Sequence, residues 1–103
     1  MRIITLELLK KTIKSQLDVD NLKSYFDIPS DSQKEMTDEK AKRYGSLTTH
    51  IAQCMELPNK TVYAALDREF KKENLLKSVT AGGICRWWYK GLLKEIQPSI
   101  TES

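Results

Sequence analysis

His50, Cys54 and Cys85 are the residues of this sequence whose side chains suit a metal ion best. His50 and Cys54 are four residues apart, which places them on one face of a helix, while Cys85 lies far along the chain. A structural zinc site takes four ligands in paired spacings, which these three lack. Two cysteines also make no disulfide framework, and in a reducing compartment each is expected to pack as a small apolar residue. We expect no metal and no cofactor.

Catalytic constellations are also missing from the sequence. The single histidine has no serine, cysteine or carboxylate partner at the spacing of a known motif, and there is neither a phosphate-binding loop nor a dinucleotide-binding fingerprint. The longest apolar runs are a few residues, too short to cross a membrane or to form a signal peptide. We expect a cytoplasmic protein that is not an enzyme and has no small-molecule substrate.

The net positive charge is concentrated in the second half of the chain. The net charge over 103 residues is only +3, but residues 60–94 carry eight lysines and arginines against three carboxylates. A locally basic surface favours a polyanionic partner, because neutralised phosphates release their counterions. Many solvated surfaces have a similar charge, so this feature alone does not identify the partner.

The elements that position these residues begin with an N-terminal helix. Its apolar residues recur at intervals of three and four: Leu6, Leu9, Ile13 and Leu17. Thr5 is the predicted N-cap of this helix. A second short helix is expected from Asp20 to Phe26, and Pro29 prevents it from continuing further. Residues 29–34 are typical of a linker.

Three further helices are predicted in the middle of the chain. The first has Thr37 as its N-cap and continues to a break at Gly45. The second covers Leu47 to Met55 and ends before Leu57-Pro58. The third has Asn59 as its N-cap and ends at Asn74, which is expected to take the left-handed conformation.

A β-hairpin is predicted next. Two runs rich in β-branched and aromatic residues, 75–81 and 84–89, flank Gly82-Gly83, and both glycines can adopt positive φ in the turn. Alternation places Trp87 and Trp88 on opposite faces, so we expect one of them to be exposed or covered by the N-terminal arm. A last helical turn is expected around Leu92, Leu93 and Ile96.

These elements divide the chain into three parts. Residues 1–36 form an N-terminal helical arm with its linker, residues 37–97 form one domain, and residues 98–103 form a frayed tail.

Three segments carry a resemblance to a known family. LTTHIA at 47–52 is similar to a helix opening written LTxxEIA, LPNKTVY at 57–63 to LpxsTVYxxL, and NLLKSV at 74–79 to GLLxxx, before a strand ending RWWYK. The region from Tyr44 to Gly91 thus resembles the winged helix-turn-helix DNA-binding domains of bacterial transcription regulators, such as the PadR-, MarR- and ArsR-like groups and small fimbrial-operon regulators. It departs from them in having Asn74 where glycine is usual.

The resemblance implies a mainly α fold with a β-hairpin, a winged helix-turn-helix preceded by an N-terminal helical arm. It also implies sequence-specific binding of double-stranded DNA by a small transcriptional regulator, with the helix after the tight turn in the major groove and the hairpin near a minor groove or phosphate. The expected DNA-binding residues are Asn59, Lys60, Thr61, Tyr63, Ala64, Arg68, Lys77, Thr80 and Arg86.

Two expectations concern partners. One helix-turn-helix module reads only a short half-site, so we expect a homodimer, with the apolar stripe of the arm from Thr5 to Phe26 as the contact. The alternative keeps the same fold but uses it as a protein-interaction module in a mobile-element or replication complex. Asp67 and Glu69, beside the proposed DNA-reading face, favour that alternative.

Overall fold

The structure, a computed structural model, describes residues 3–18, 22 and 37–101, with side chains up to residue 96. Its elements in chain order are α1 (Leu6–Ser15), α2 (Asp38–Ala41), a 3₁₀ turn (Lys42–Tyr44), β1 (Ser46–Leu47), α3 (Thr48–Met55), α4 (Asn59–Lys71), β2 (Leu75–Val79), β3 (Cys85–Tyr89) and α5 (Leu92–Thr101). The described chain therefore combines α-helices with a three-stranded antiparallel sheet. The helix predicted from Asp20 to Phe26, apart from Leu22, and the linker over 29–34 lie outside the described residues.

The sheet has the strand order β1, β3, β2. The predicted hairpin is present, and its strands pair from Leu75 opposite Tyr89 to Val79 opposite Cys85. Strand β1 is absent from the sequence prediction, which starts a helix at Leu47, because two residues are too short to show alternation. Gly45 allows this strand to form, since a β-carbon there would overlap the carbonyl group of Trp87.

Helix α1 belongs to the core that the rest of the described chain forms. Thr5 caps it as predicted, and its Oγ1 accepts a hydrogen bond from the amide of Leu8 at 3.2 Å. Leu9 and Ile13 are fully buried in one apolar cluster with residues of α3, α4 and the sheet. Ser46 Oγ also donates to the carbonyl of Ile13 at 2.7 Å. The apolar stripe of α1 is covered within the chain, so the reason for expecting a dimer contact there does not hold.

Both tryptophans of β3 are buried, so neither is exposed. Trp87 Nε1 donates to Thr48 Oγ1 at 2.7 Å, and Trp88 Nε1 donates to Asp38 Oδ1 at 2.8 Å. Each ring therefore buries its apolar area without leaving its N–H group unbonded.

The carboxylate of Asp38 also fastens the start of α5. It accepts hydrogen bonds from the amides of Gly91 at 2.9 Å and Leu93 at 3.0 Å. Leu92, Leu93 and Ile96 are buried and anchor the first turns of the helix. The backbone is helical through Thr101, whereas the sequence predicts a frayed tail from Pro98.

Candidate nucleic-acid interface

A three-residue turn connects α3 to α4. Glu56 has a positive φ of 56°, and the amides of Glu56 and Leu57 donate to the carbonyls of Gln53 and Ala52. These two bonds are those of a Schellman motif, which satisfies the last carbonyls of α3. Pro58 then leads directly into α4.

Asn59 is the first residue of α4, so the prediction that it is the N-cap is wrong. The cap residue is Pro58, whose φ of −61° and ψ of 144° are extended, and none of the described side chains caps the helix. The carbonyl of Pro58 accepts the first helical bond, from the amide of Val62 at 3.1 Å. Asn59 is exposed, and its amide group is not used to start the helix.

The first two turns of α4 have one buried and one exposed side. Val62, Ala65 and Leu66 are buried, as the four-residue period predicts for Val62 and Leu66. The exposed side, here named the α4 surface, consists of Asn59, Lys60, Thr61, Tyr63 and Ala64. The structure thus brings together on one surface five of the nine residues predicted to contact DNA.

Tyr63 is held at the edge of the α4 surface. Its ring meets that of Trp87 in an edge-to-face arrangement with centroids 5.7 Å apart, and 38% of the residue remains exposed. Because the apolar ring is packed, the exposed part of Tyr63 has a defined position beside α4.

Arg68 lies one turn further along α4 and is bonded within the protein. Its Nε donates to Glu69 Oε2 at 3.0 Å, and its Nη2 donates to the carbonyl of Ile4 at 2.8 Å. Ile4 is 64 residues away in sequence, so this partner is invisible in the local pattern. The guanidinium group predicted to contact DNA ties the N-terminal segment to α4, and 47% of the Arg68 side chain remains exposed.

Glu69 is a buried carboxylate at the end of α4. Asn74 Nδ2 donates to Glu69 Oε1 at 2.9 Å. This hydrogen bond lowers the pKa of Glu69, against the opposing effect of burial and with further help from Arg68 and Lys72. Glu69 is therefore an ionised structural residue whose charge is compensated within the chain, and it adds no exposed negative charge beside the α4 surface.

The prediction that Asn74 takes the left-handed conformation at the end of α4 is wrong. Glu73 has the positive φ, 64°, and its amide donates to the carbonyl of Phe70. The amide of Asn74 donates to the carbonyl of Glu69, which completes a second Schellman motif. Asn74 is one residue past the left-handed position, because its amide reaches back five residues to the carbonyl of Glu69.

Lys77 is packed among aromatic rings and has a side chain only 19% exposed. Its Nζ lies 4.8 Å from the centroid of Phe70, 5.8 Å from that of Tyr63 and 5.7 Å from that of Trp87. Asp67 Oδ1 is 3.7 Å from the same ammonium group, and Asp67 also pairs with Lys71 at 3.2 Å. Lys77 thus supports the hydrophobic base of the hairpin and balances the charge of Asp67.

The hairpin loop lies next to the start of α3 and to α4. Thr48, Thr49 and Tyr63 line one cleft together with Gly83 and Ile84. Thr80 is exposed, and its Oγ1 accepts from the amide of Ile84 at 3.2 Å.

Gly83, at a φ of +80°, is the glycine of the Gly82-Gly83 pair that takes a positive φ. Val79 and Ile84 stand exposed at the two sides of the tip, by 56% and 51%.

Arg86 is directed elsewhere. Its Nη1 donates to the carbonyl of Gly45 at 3.0 Å, and the residue lines a cleft of about 400 Å³ with Tyr44 and His50. Three of the predicted DNA contacts carry a positive charge and lie outside the first two turns of α4. Each of them is bonded or packed within the chain: Arg68, Lys77 and Arg86.

The metal candidates do not come together. His50 and Cys54 are exposed and Cys85 is half-buried, and no group of three potential ligands is found among the residues that the structure describes. Within those same residues, no helix is long and apolar enough to cross a membrane.

No protein-family model, curated protein or solved structure matches this chain.

Proposed function

We propose that this chain is a winged helix-turn-helix protein that binds double-stranded DNA and acts as a small transcriptional regulator. The observation that carries the proposal is the α4 surface: two exposed helical turns of small and polar residues, entered through a three-residue turn and flanked by a β-hairpin. A helix of this kind fits the major groove, and a following hairpin reaches the neighbouring backbone.

The side chains of the α4 surface suit a groove physically. Ala64 permits close approach of the helix, Thr61 presents a hydroxyl and a methyl group, and Lys60 brings a positive charge to the phosphates. An apolar surface would favour a protein partner, whereas this one exposes groups that bond to base edges and backbone.

The acidic residues that favoured a protein-interaction module have their charges paired within the chain. Asp67 is paired with Lys71 and Lys77, and Glu69 is buried against Asn74 and Arg68. The electrostatic objection to a polyanion beside α4 is therefore weaker than the sequence suggests.

Dimerisation through α1 is not included in the proposal, since the apolar stripe of α1 is buried within the chain. One chain then contacts one half-site, and any pairing of half-sites needs a surface other than this stripe.

The test is binding to a pool of duplexes of random sequence, followed by fluorescence anisotropy between about 50 and 200 mM salt. We expect the logarithm of the binding constant to fall linearly with the logarithm of the salt concentration. Lys60→Ala should weaken binding several-fold and reduce the slope by about one, because one phosphate contact is lost.

Lys94→Ala is the matched control, since Lys94 is an exposed lysine on α5 and the change in net charge is identical. It should leave affinity and slope close to those of the unchanged protein. Absence of duplex binding at low salt, or equal losses in the two variants, would overturn the proposal.

A further inference from the structure

The α4 surface has few groups that recognise guanine. Arginine and lysine are the side chains that most often contact guanine at O6 and N7, and arginine does so through two parallel hydrogen bonds fixed by its planar fork. Arg68 donates instead to Ile4 and Glu69, and Arg86 donates to Gly45. Neither arginine is presented on the first two turns of α4, where base edges would lie.

Methyl groups and an amide are what this surface does present. Thr61 and Ala64 are three residues apart, so their side chains are neighbours on the helix. Both are exposed and both end in a methyl group, which contacts the C5-methyl of thymine favourably. Asn59 is exposed at the start of the helix with an amide that does not cap it, and asparagine bonds to N6 and N7 of adenine.

Lys60 is the cation of this surface. It is exposed, four residues before Ala64 on the same side of the helix. A lysine is a flexible point charge without the rigid fork of arginine, so it neutralises a phosphate well and fixes the geometry of a base contact less strictly than arginine does.

We propose that α4 selects an A·T-rich half-site in the major groove. Thr61 and Ala64 contact thymine methyl groups, Asn59 bonds to an adenine, and Lys60 contacts the backbone. The inference rests on the proposed function and adds to it the class of sequence recognised and the residues that determine specificity.

The first test is selection of bound duplexes from a random pool by the full chain. We expect a core of consecutive A·T pairs. Arg68→Gln should select the same core, because Arg68 donates to the protein and not to a base; circular dichroism checks that this variant is folded. A core dominated by G·C pairs, or a core that changes with Arg68→Gln, would overturn the inference.

The second test removes single methyl groups. Deoxyuridine is thymine without the C5-methyl, so replacing one contacted thymine should weaken binding about fourfold, the effect of losing one buried methyl group. Thr61→Ser and Ala64→Gly each remove the methyl from the protein side. Each variant should lose the sensitivity to deoxyuridine at its own position and keep it at the other.

Lys60→Ala is the control for this experiment. It should lower the affinity for thymine and deoxyuridine duplexes by the same factor, so the ratio between them stays near fourfold. Equal binding of the two duplexes by the unchanged protein would overturn the inference. Salt-dependent binding without base preference would overturn the preference for A·T pairs but support the proposed function. Absence of binding to any duplex would overturn both.

Discussion

Helices α1 and α4 have the same kind of sequence, since each sets an apolar stripe against lysines, but they differ in what their exposed sides offer. The stripe of α1 packs into the core through Leu9 and Ile13, and its outer side is made of charged residues. The stripe of α4 packs through Val62 and Leu66, and its outer side over the first two turns is small and polar. The apolar stripe of a helix therefore shows which of its residues are buried, while the residues on the opposite side of the helix indicate whether it can bind a partner.

The largest expected effect on stability comes from a change in α1, and it tests whether the apolar stripe of this helix belongs to the core. Leu9→Ala should lower the free energy of unfolding by about 3 kcal/mol, because a fully buried leucine leaves a cavity in the core. Urea denaturation measures the loss. Lys11→Ala, on the exposed side of the same helix, should change stability by less than about 0.5 kcal/mol.

A different result would restore the dimer contact predicted from the sequence. If Leu9→Ala left the stability unchanged but halved the mass in analytical ultracentrifugation, the stripe of α1 would be an interface between two chains and not part of a core.

A smaller effect concerns the buried carboxylate of α4. Glu69→Gln should destabilise the protein by about 2 kcal/mol near neutral pH, because the charged acceptor of Asn74 and Arg68 is lost. The folded-state pKa of Glu69 is below the ordinary 4.5, so its contribution is complete above that value and disappears as the pH falls through the lowered pKa.

Urea titrations at several pH values check this sign. The difference in stability between the unchanged protein and Glu69→Gln should be largest near neutrality and shrink in acid. A difference that grew as the pH fell would contradict the hydrogen-bonded carboxylate that ends α4.

The smallest effect sharpens the description of how α4 ends. Glu73→Gly should stabilise the protein by about 0.5 to 1 kcal/mol, since glycine adopts a positive φ without a steric penalty. Asn74→Gly is the control with the opposite sign, because it removes the hydrogen bond to Glu69. Thermal denaturation of the two variants separates the positions, and stabilisation by Asn74→Gly alone would restore the end predicted from the sequence.

Local sequence was sufficient for most elements of the fold. The N-caps Thr5 and Thr37 accept hydrogen bonds from amides three residues ahead, as predicted, because a cap and its amide lie within one turn. The hairpin around Gly82-Gly83 is also present. Strand β1 was missed, since its two residues are a strand only by pairing with β3, about forty positions later.

The candidate site divides in the same way. The period of α4 predicted which side of the helix is exposed, so Lys60, Thr61 and Ala64 lie where the sequence places them. The period does not show that Arg68 and Arg86 bond to backbone carbonyls 64 and 41 positions away. Such partners follow from chain packing and leave no local signal.

The sequence by itself therefore determined the helices, the N-caps Thr5 and Thr37, the hairpin and the polar character of the α4 surface, because these depend on neighbours within a few residues. Only the tertiary structure decided that α1 lies in the core, that both tryptophans are buried, and which cations are bonded within the chain. Long side chains such as arginine reach whichever acceptor the packed chain brings near, and that choice is made when distant segments meet.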